Sequence, residues 1–524
     1  MNSYLEQVSA TARKAAQSKD WARVSSCAKE ILKQRKNSAE GYFLLGIAEK
    51  AMNRPREAVA KLSRSIKLDD KRYDAAIELA SQYLLSNQYA EAVTLLQRYE
   101  AHLSNSPRYL DMAGTIYTNV GLPDRGWPLY QKANELQPGV DALQANLAAC
   151  SVFVGKTDDA KKIYCRLLKK FPNHQRNHYE LSRLERATDS THVEQMKDVL
   201  RSTNLSPDKN IFIYYAIGKE LEDLEQWDEA FHYFKLAGDA VAAMANYNVA
   251  TDLQLIDKII EVCTPEWLDA EKTETPGDVA EKTPIFIVGL PRTGTTLTER
   301  IVSCHSLVES IGETFFMQVV LKRKSGVDST ESMNPAIIEA VAKKDIRHIA
   351  AAYLEAVRFK FGESPMFIEK LPENVLYLGL IAKAYPHAQI IHLNRNPMDA
   401  CFAMYKQSFF RFAYTLDDLG RYYVAYNRLL NHWRETLKDR LIEVEYESLV
   451  ADQEGQTRIL LEELGLDFEE ACLNFDQNIT ASNTASTVQV REKIHTRSVD
   501  RWKHFAKHLQ PLKRHLENAG IVVA

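Results

Sequence analysis

Long hydrophobic runs are missing from this 524-residue sequence. No stretch approaches the roughly 18 apolar residues that cross a bilayer, so the sequence predicts no membrane span. Residues 1–6 lack the basic start and apolar run of a signal peptide. Seven scattered cysteines never form a C-x-x-C pair, which argues against both a disulfide framework and a zinc site. We therefore expect a cytoplasmic protein that holds no metal.

A strong excess of one charge is also missing. The formal net charge is -4, and 26% of the residues are charged. Without a general basic field, nucleic acid is not the expected partner. The length nevertheless allows two or more independent cores.

The N-terminal half carries an internal repeat. A Leu-Gly, Leu-Ala or Ala-Gly pair is followed twelve residues later by a small residue, and these small residues lie 34 positions apart at Ala58, Ala92, Gly126 and Ala160. This is the period of tetratricopeptide repeats, in which small residues let two antiparallel helices touch. The sequence predicts such an array over residues 1–264, with a concave face for a protein or peptide. A generic helical bundle is the alternative.

A Gly-rich loop follows a predicted linker at residues 265–283. The apolar run 284–288 predicts a β-strand, and the loop from Gly289 to Gly294 leads into a helix. The glycine spacing equals that of a nucleotide-binding P-loop, but Thr295 stands where that motif has lysine. Arg292 supplies positive charge within the loop instead. A nucleoside triphosphatase would need that lysine, so the pattern predicts an anion site of another kind.

The stretch 291–297 resembles the 5′-phosphosulfate loop of sulfotransferases that use 3′-phosphoadenylyl sulfate (PAPS). It is most similar to tyrosylprotein sulfotransferases and to bacterial tetratricopeptide-repeat sulfotransferases. The resemblance implies an α/β, P-loop-like domain with a parallel sheet over residues 284–524. It also implies PAPS as the donor, 3′,5′-adenosine bisphosphate (PAP) as the product, and donor contacts from Arg292, Thr293, Gly294, Thr295 and Thr296.

Further motifs resemble the same family in the same order. Arg395 follows an apolar run and is implied to pair with the 3′-phosphate. A family serine eight residues later is replaced by Ala403, and Lys406 is a candidate substitute. The remaining motifs are a K-x-P element at Lys370, a strand that ends at Tyr446, and a C-terminal segment that closes over the donor. The resemblance implies a catalytic role for Lys370. It implies donor contacts for Tyr446, Ser486, Thr487, Arg491 and Arg501.

The catalytic roles also follow from the resemblance. Glu313 lies 21 residues after Arg292, the family spacing to its catalytic glutamate, and is the expected general base. His305 is the rival base. Lys370 and Arg292 are expected to neutralise charge on the transferring group, with a hydrogen bond from Ser486.

The acceptor is the least constrained feature. The leading hypothesis is a sulfotransferase that modifies a tyrosine of a protein or peptide recruited by the array. One alternative is a glycan or small-molecule hydroxyl acceptor, with the repeats serving a homo-oligomer. Another is a repeat scaffold whose C-terminal domain binds nucleotide without turnover.

Overall fold

The computed structural model describes residues 2–103, 105–270, 282–478, 480–481, 484 and 486–523. The chain divides into two compact units, residues 1–150 and residues 151–524. Within the described residues, none of the helices combines the length and hydrophobicity needed to cross a bilayer.

The predicted array consists of antiparallel helix pairs. In the first unit they are α1 Asn2–Gln17, α2 Trp21–Gln34, α3 Ala39–Ala51, α4 Pro55–Leu68, α5 Tyr73–Leu85, α6 Tyr89–Tyr99, α7 Pro107–Asn119 and α8 Pro123–Leu136. Helix α9, Asp141–Phe153, spans the division between the units. The second unit continues with α10 Thr157–Lys170, α11 Gln175–Ser182, α12 Thr191–Thr203, α13 Ile211–Asp223 and α14 Trp227–Met244.

Small residues bring the two helices of a pair into contact, as the repeat pattern predicts. A Cβ atom added to Gly46 of α3 would lie 2.7 Å from Leu62 Cγ of α4. The same change at Gly218 of α13 would place it 2.7 Å from Phe234 of α14. Helix pairs at this separation need the small residue, so the predicted repeat packing is confirmed.

Two helices follow the last pair. They are α15 Val249–Val262 and α16 Pro265–Asp269. Asp257 of α15 pairs with Arg428 at 2.6 Å, so α15 packs on the C-terminal part of the chain. The short helix α16 lies within the predicted linker, whose residues 271–281 are outside the described residues.

A five-stranded parallel sheet forms the centre of the C-terminal part, which confirms the predicted α/β class. The strands are β1 Thr283–Gly289, β2 Val308–Gly312, β3 Met366–Lys370, β4 Gln389–Asn394 and β5 Leu441–Glu445. They are ordered β2-β3-β1-β4-β5. The helices around them are α17 Thr295–Val302, α18 Phe316–Ser325, α19 Pro335–Ala342, α20 Ile346–Val357, α21 Leu378–Ala384, α22 Pro397–Tyr405, α23 Leu416–Leu437, α24 Tyr446–Ala451, α25 Gln453–Glu463 and α26 Gln510–Asn518.

The strand order determines where a ligand fits. From the central β1 the chain builds β2 and β3 on one side, then crosses to build β4 and β5 on the other. In open parallel sheets, ligands bind at the carboxyl ends of the strands beside such a reversal. The central strands β1 and β4 are buried except at their ends, as expected of a parallel sheet covered on both faces.

Candidate active site

The Gly-rich loop leaves the carboxyl end of β1 and leads into α17. Gly289 and Gly294 both adopt positive φ angles, +149° and +103°. A Cβ added to Gly294 would lie 2.6 Å from Tyr446 Cδ2, so glycine lets the loop pass against this ring. The first turn of α17 carries no acidic residue, and no side chain of the described residues caps it. Its N–H groups are therefore available to an anion.

Two arginines lie beside this helix start. The guanidinium of Arg292 donates to Ser486 Oγ and, at 2.6 Å, to Gln489 Oε1. Arg395 donates to the Arg292 carbonyl and to the Ser498 carbonyl, each at 2.6 Å. Its guanidinium also lies 4.6 Å from the centre of the Tyr446 ring. The loop, Arg395 and the residues after Ser486 therefore form one connected group.

Arg292 and Arg395 have no salt-bridge partner within the described part of the chain. No carboxylate among the described residues forms a salt bridge with either guanidinium, and both Nε atoms are buried without a hydrogen-bond partner. Burial lowers the pKa of Arg292 to about 10, and the charges of Arg395 and Arg183 act in the same direction. Two close cations with unused donors favour a bound anion.

A cavity of about 550 Å³ opens over this group. Its lining includes most of the predicted loop residues, namely Arg292, Gly294, Thr295 and Thr296, together with Glu313, Arg395, Tyr446 and Ser486. Aromatic side chains line another part of it, namely Phe153, Phe315, Phe409, Phe410 and Phe475. The cavity thus combines an anion-binding region with aromatic walls.

Glu313 reaches the cavity from the end of a β-strand. The chain passes from α17 into the edge strand β2, and Glu313 follows its last residue. Because the carboxyl ends of parallel strands share one edge, this places Glu313 beside the loop. Its carboxylate accepts a hydrogen bond from Lys370 Nζ at the end of β3.

Lys370 is completely buried, and its ammonium also lies 3.6 Å from Glu299 Oε2 of α17. A lysine is tolerated at such burial only when it is paired, and here two carboxylates share it. Lys370 is not among the described residues that line the cavity, but it contacts Glu313, which is. The positive charge of Lys370 holds the Glu313 carboxylate in place and makes the electrostatic potential around it more positive.

Four other predicted residues have partners elsewhere. The hydroxyls of Thr293 and Thr487 donate to the carbonyls of Leu290, at 2.7 Å, and Thr484, at 2.6 Å, and so brace the two loops. Arg491 donates to the Phe153 carbonyl at 3.1 Å. Arg501 pairs with Glu222 at 3.1 Å.

The rival base and the substitute cation are also engaged. The Nε2 atom of His305 bonds to the Asp467 carbonyl at 3.0 Å, and its Nδ1 accepts from Leu307 N at 3.1 Å. His305 is buried at the turn before β2 with both ring nitrogens bonded, and it is not among the described residues that line the cavity. Lys406 Nζ binds Glu222 and so does not take the place of the family's serine, at whose position this chain has Ala403.

Sequence reasoning did not identify Arg183 and Phe153, which line the cavity from the repeat helices of the same compact unit. One signal was present. The small residue due 34 positions after Ala160 is instead Glu194, and α11 is only eight residues long. Arg183 directly follows this shortened helix, so the repeat is broken at the point where the array reaches the cavity.

Comparison with known proteins identifies the C-terminal part. A family model described as "Sulfotransferase family" matches residues 284–470. This part of the chain is therefore similar to the sulfotransferase family. This matched stretch of the domain holds the Gly-rich loop, Glu313, Lys370 and Arg395.

Individual relatives extend the similarity. An uncharacterized protein of Aquifex aeolicus is 29% identical over 73% of this chain, and the match spans about half, 51%, of that protein. Protein-tyrosine sulfotransferase 1 of Danio rerio is 25% identical over 42% of this chain and 65% of its own. The sulfotransferase domain of the Synechococcus PCC 7002 olefin synthase covers 48% of this chain and all of its own, at 22% identity and a TM-score of 0.36.

Proposed function

We propose that the protein transfers a sulfuryl group from PAPS to an acceptor hydroxyl. The observation that carries the proposal is the pair Arg292 and Arg395, two cations beside a free helix start with no carboxylate partner among the described residues. PAPS has two anionic ends, a 5′-phosphosulfate and a 3′-phosphate. The loop with Arg292 suits the first, and Arg395, stacked beside Tyr446, suits the second.

The chemistry then requires three tasks. The acceptor oxygen forms a bond to sulfur as the bond from sulfur to the 5′-phosphate oxygen breaks, leaving a sulfate ester and PAP. Glu313 takes the hydroxyl proton. Arg292, with its hydrogen-bond partner Ser486, stabilises the negative charge that develops on the leaving phosphate. Lys370 contributes positive charge to the same region and keeps Glu313 in place.

For the acceptor we propose a tyrosine hydroxyl of a protein or peptide. Two observations support it. Phenylalanines line the same cavity as Glu313, and Arg183 and Phe153 of the repeat helices are among the lining residues. Aromatic walls suit a phenol ring. The names of the animal relatives, which are protein-tyrosine sulfotransferases, point to the same acceptor.

Calorimetry tests the donor. The protein should bind PAP far more tightly than AMP, which lacks the 3′-phosphate. Arg395→Ala should reduce this ratio by about 10- to 150-fold, because a charge-assisted contact of about 1.5–3 kcal/mol is lost. The ratio of the PAP and AMP affinities is compared because Arg395 also bonds to the loop, so the substitution weakens the binding of both ligands. Equal affinities of the parent for PAP and AMP would remove the proposal.

Transfer assays test the acceptor. Labelled PAPS should sulfate tyrosine-containing peptides, and replacing tyrosine by phenylalanine should abolish incorporation. Incorporation into a carbohydrate but not into any peptide would assign the glycan alternative instead. Tight PAP binding without transfer to any acceptor class would favour the inactive scaffold.

A further inference from the structure

A buried carboxylate of the array lies between two cations that belong to the sulfotransferase part of the same compact unit. Glu222, near the end of α13, is 7% exposed. Its two carboxylate oxygens lie 2.7 and 2.8 Å from Lys406 Nζ. Arg501 Nε lies 3.1 Å from the same carboxylate, and Arg501 Nη2 donates to the Glu222 carbonyl at 3.1 Å. Burial raises the pKa of Glu222, but Lys406 and Arg501 outweigh this and lower it.

Residues 498–508, here called the bridging segment, continue this contact along α14. The guanidinium of Arg501 lies 4.5 Å from the ring centre of Trp227. His504 stacks on the same ring at 4.3 Å. One turn later, His508 stacks on Phe231 at 4.4 Å. The bridging segment therefore rests on α14 through aromatic surfaces as well as through the ion pair.

The other side of the bridging segment is bound to the candidate donor site. Arg395 donates to the Ser498 carbonyl at 2.6 Å. Asp399, in the first turn of α22, accepts from the backbone N–H groups of Asp500, at 2.7 Å, and Trp502, at 2.9 Å. Asp500 adopts a φ of +58°, a left-handed conformation that is uncommon for residues other than glycine.

These contacts form one chain of support from the array to the donor site. We propose that Glu222 is a positioning residue for donor binding, acting through Arg501 and the bridging segment on the orientation of Arg395. Arg501 is accordingly a positioning residue too, since its guanidinium contacts Glu222 and Trp227. The array is then part of the catalytic machinery as well as a surface for an acceptor. The inference rests on the proposed function only in taking PAP as the ligand.

Helix α13 offers a matched control. Glu220, two residues before Glu222, is also buried, at 5% exposed, but it pairs with His192 of the array at 2.6 Å. Glu222→Gln and Glu220→Gln remove the same charge from the same helix. Both lower the stability of the array, whereas only Glu222→Gln releases the bridging segment.

The first experiment measures PAP binding by the full-length chain. Glu222→Gln should weaken PAP binding about fivefold or more, the range of moderate coupling between sites. Its PAP-induced rise in Tm should shrink accordingly. Glu220→Gln should lower the Tm without ligand but stay within about twofold of the parent in PAP affinity. Unchanged PAP binding in Glu222→Gln, or an equal loss in both variants, would overturn the inference.

A double-mutant cycle tests the route. If Glu222 acts through Arg501, Arg501→Gln should weaken PAP binding by a similar factor, and the double variant should lose little more. Independent, additive losses would contradict the route.

Hydrogen exchange gives a readout that does not depend on the donor. The amides of Asp500 and Trp502 should exchange faster in Glu222→Gln than in the parent and in Glu220→Gln. If the parent fails to bind PAP, the proposed function falls. The positioning role is then decided by this measurement alone, and unchanged exchange overturns it.

Discussion

The proposed base gives the sharpest test of the chemistry. Glu313→Gln keeps the size and hydrogen-bonding shape of the side chain but cannot accept the acceptor proton. Positioned proton transfer contributes about 10²–10⁴-fold, or about 3–5 kcal/mol of barrier. The kcat of the variant should therefore fall by this factor. The affinity for PAP should change little, because Glu313 follows β2 while the proposed donor contacts come from the β1 loop and Arg395.

The substitution also disturbs Lys370, which loses one of its two carboxylate partners. Removing the single partner of a buried charge costs about 3–5 kcal/mol. Here Glu299 remains 3.6 Å from the ammonium, and the Glu313 side chain is 30% exposed. We therefore expect a smaller loss, about 1–3 kcal/mol of unfolding free energy, which leaves a folded protein to assay.

Glu299→Gln is the matched control because it removes the other partner of Lys370. It should cost similar stability but reduce kcat within about tenfold, far less than loss of a base. The pH profile separates the two further. The parent and Glu299→Gln should show a fall of kcat/KM in acid, and Glu313→Gln should lack it. Equal kcat losses in both variants, or an acidic limb that persists in Glu313→Gln, would refute the assignment of the base.

Two further predictions concern the surroundings of the site. Arg183→Ala should raise KM for a tyrosine peptide with acidic neighbours about fivefold more than for its neutral counterpart, because a cation that is 34% exposed is lost from the cavity. Equal effects on both peptides would contradict it. Burial raises the pKa of Glu369 from 4.5 to about 7, so between these values the native protein holds a proton that the unfolded chain releases. Unfolding free energy should then fall as pH rises from 4.5 to 7, and urea denaturation should find this loss much reduced in Glu369→Gln.

The sequence predicted the features that repeat or that follow a strand. Small residues such as Ala58 and Ala92 recur because every helix pair needs the same close contact, so one period reveals them all. Gly294, Lys370 and Arg395 lie where a short apolar run meets a polar residue. Parallel sheets gather such strand ends at one edge, and the structure brings these residues together there. The catalytic and binding roles given to them stay predictions.

Contacts between the array and the sulfotransferase part could not be predicted in the same way. Arg501 meets Glu222 across 279 positions of sequence, and Arg491 meets the Phe153 carbonyl across 338. No local pattern specifies such pairs, because each residue alone reads as a charge on a solvated helix or loop. The family resemblance instead implies donor contacts for Arg491 and Arg501 and makes Lys406 a candidate substitute for the serine missing at Ala403. These roles stay predictions.

The repeat unit that departs from the 34-residue pattern nevertheless indicates where the array contributes to the candidate site. Each unit of a solenoid that keeps the pattern stabilises the array through its contacts with its neighbours. A unit that departs from the pattern loses part of this packing. Here α11 is shortened and Glu194 replaces a small residue, and this is the unit that presents Arg183 to the cavity. The next pair keeps its small residue at Gly218 but places Glu222 at the end of α13, against Lys406 and Arg501. The repeat units that share a compact unit with the sheet domain therefore follow the requirements of that domain rather than those of the array.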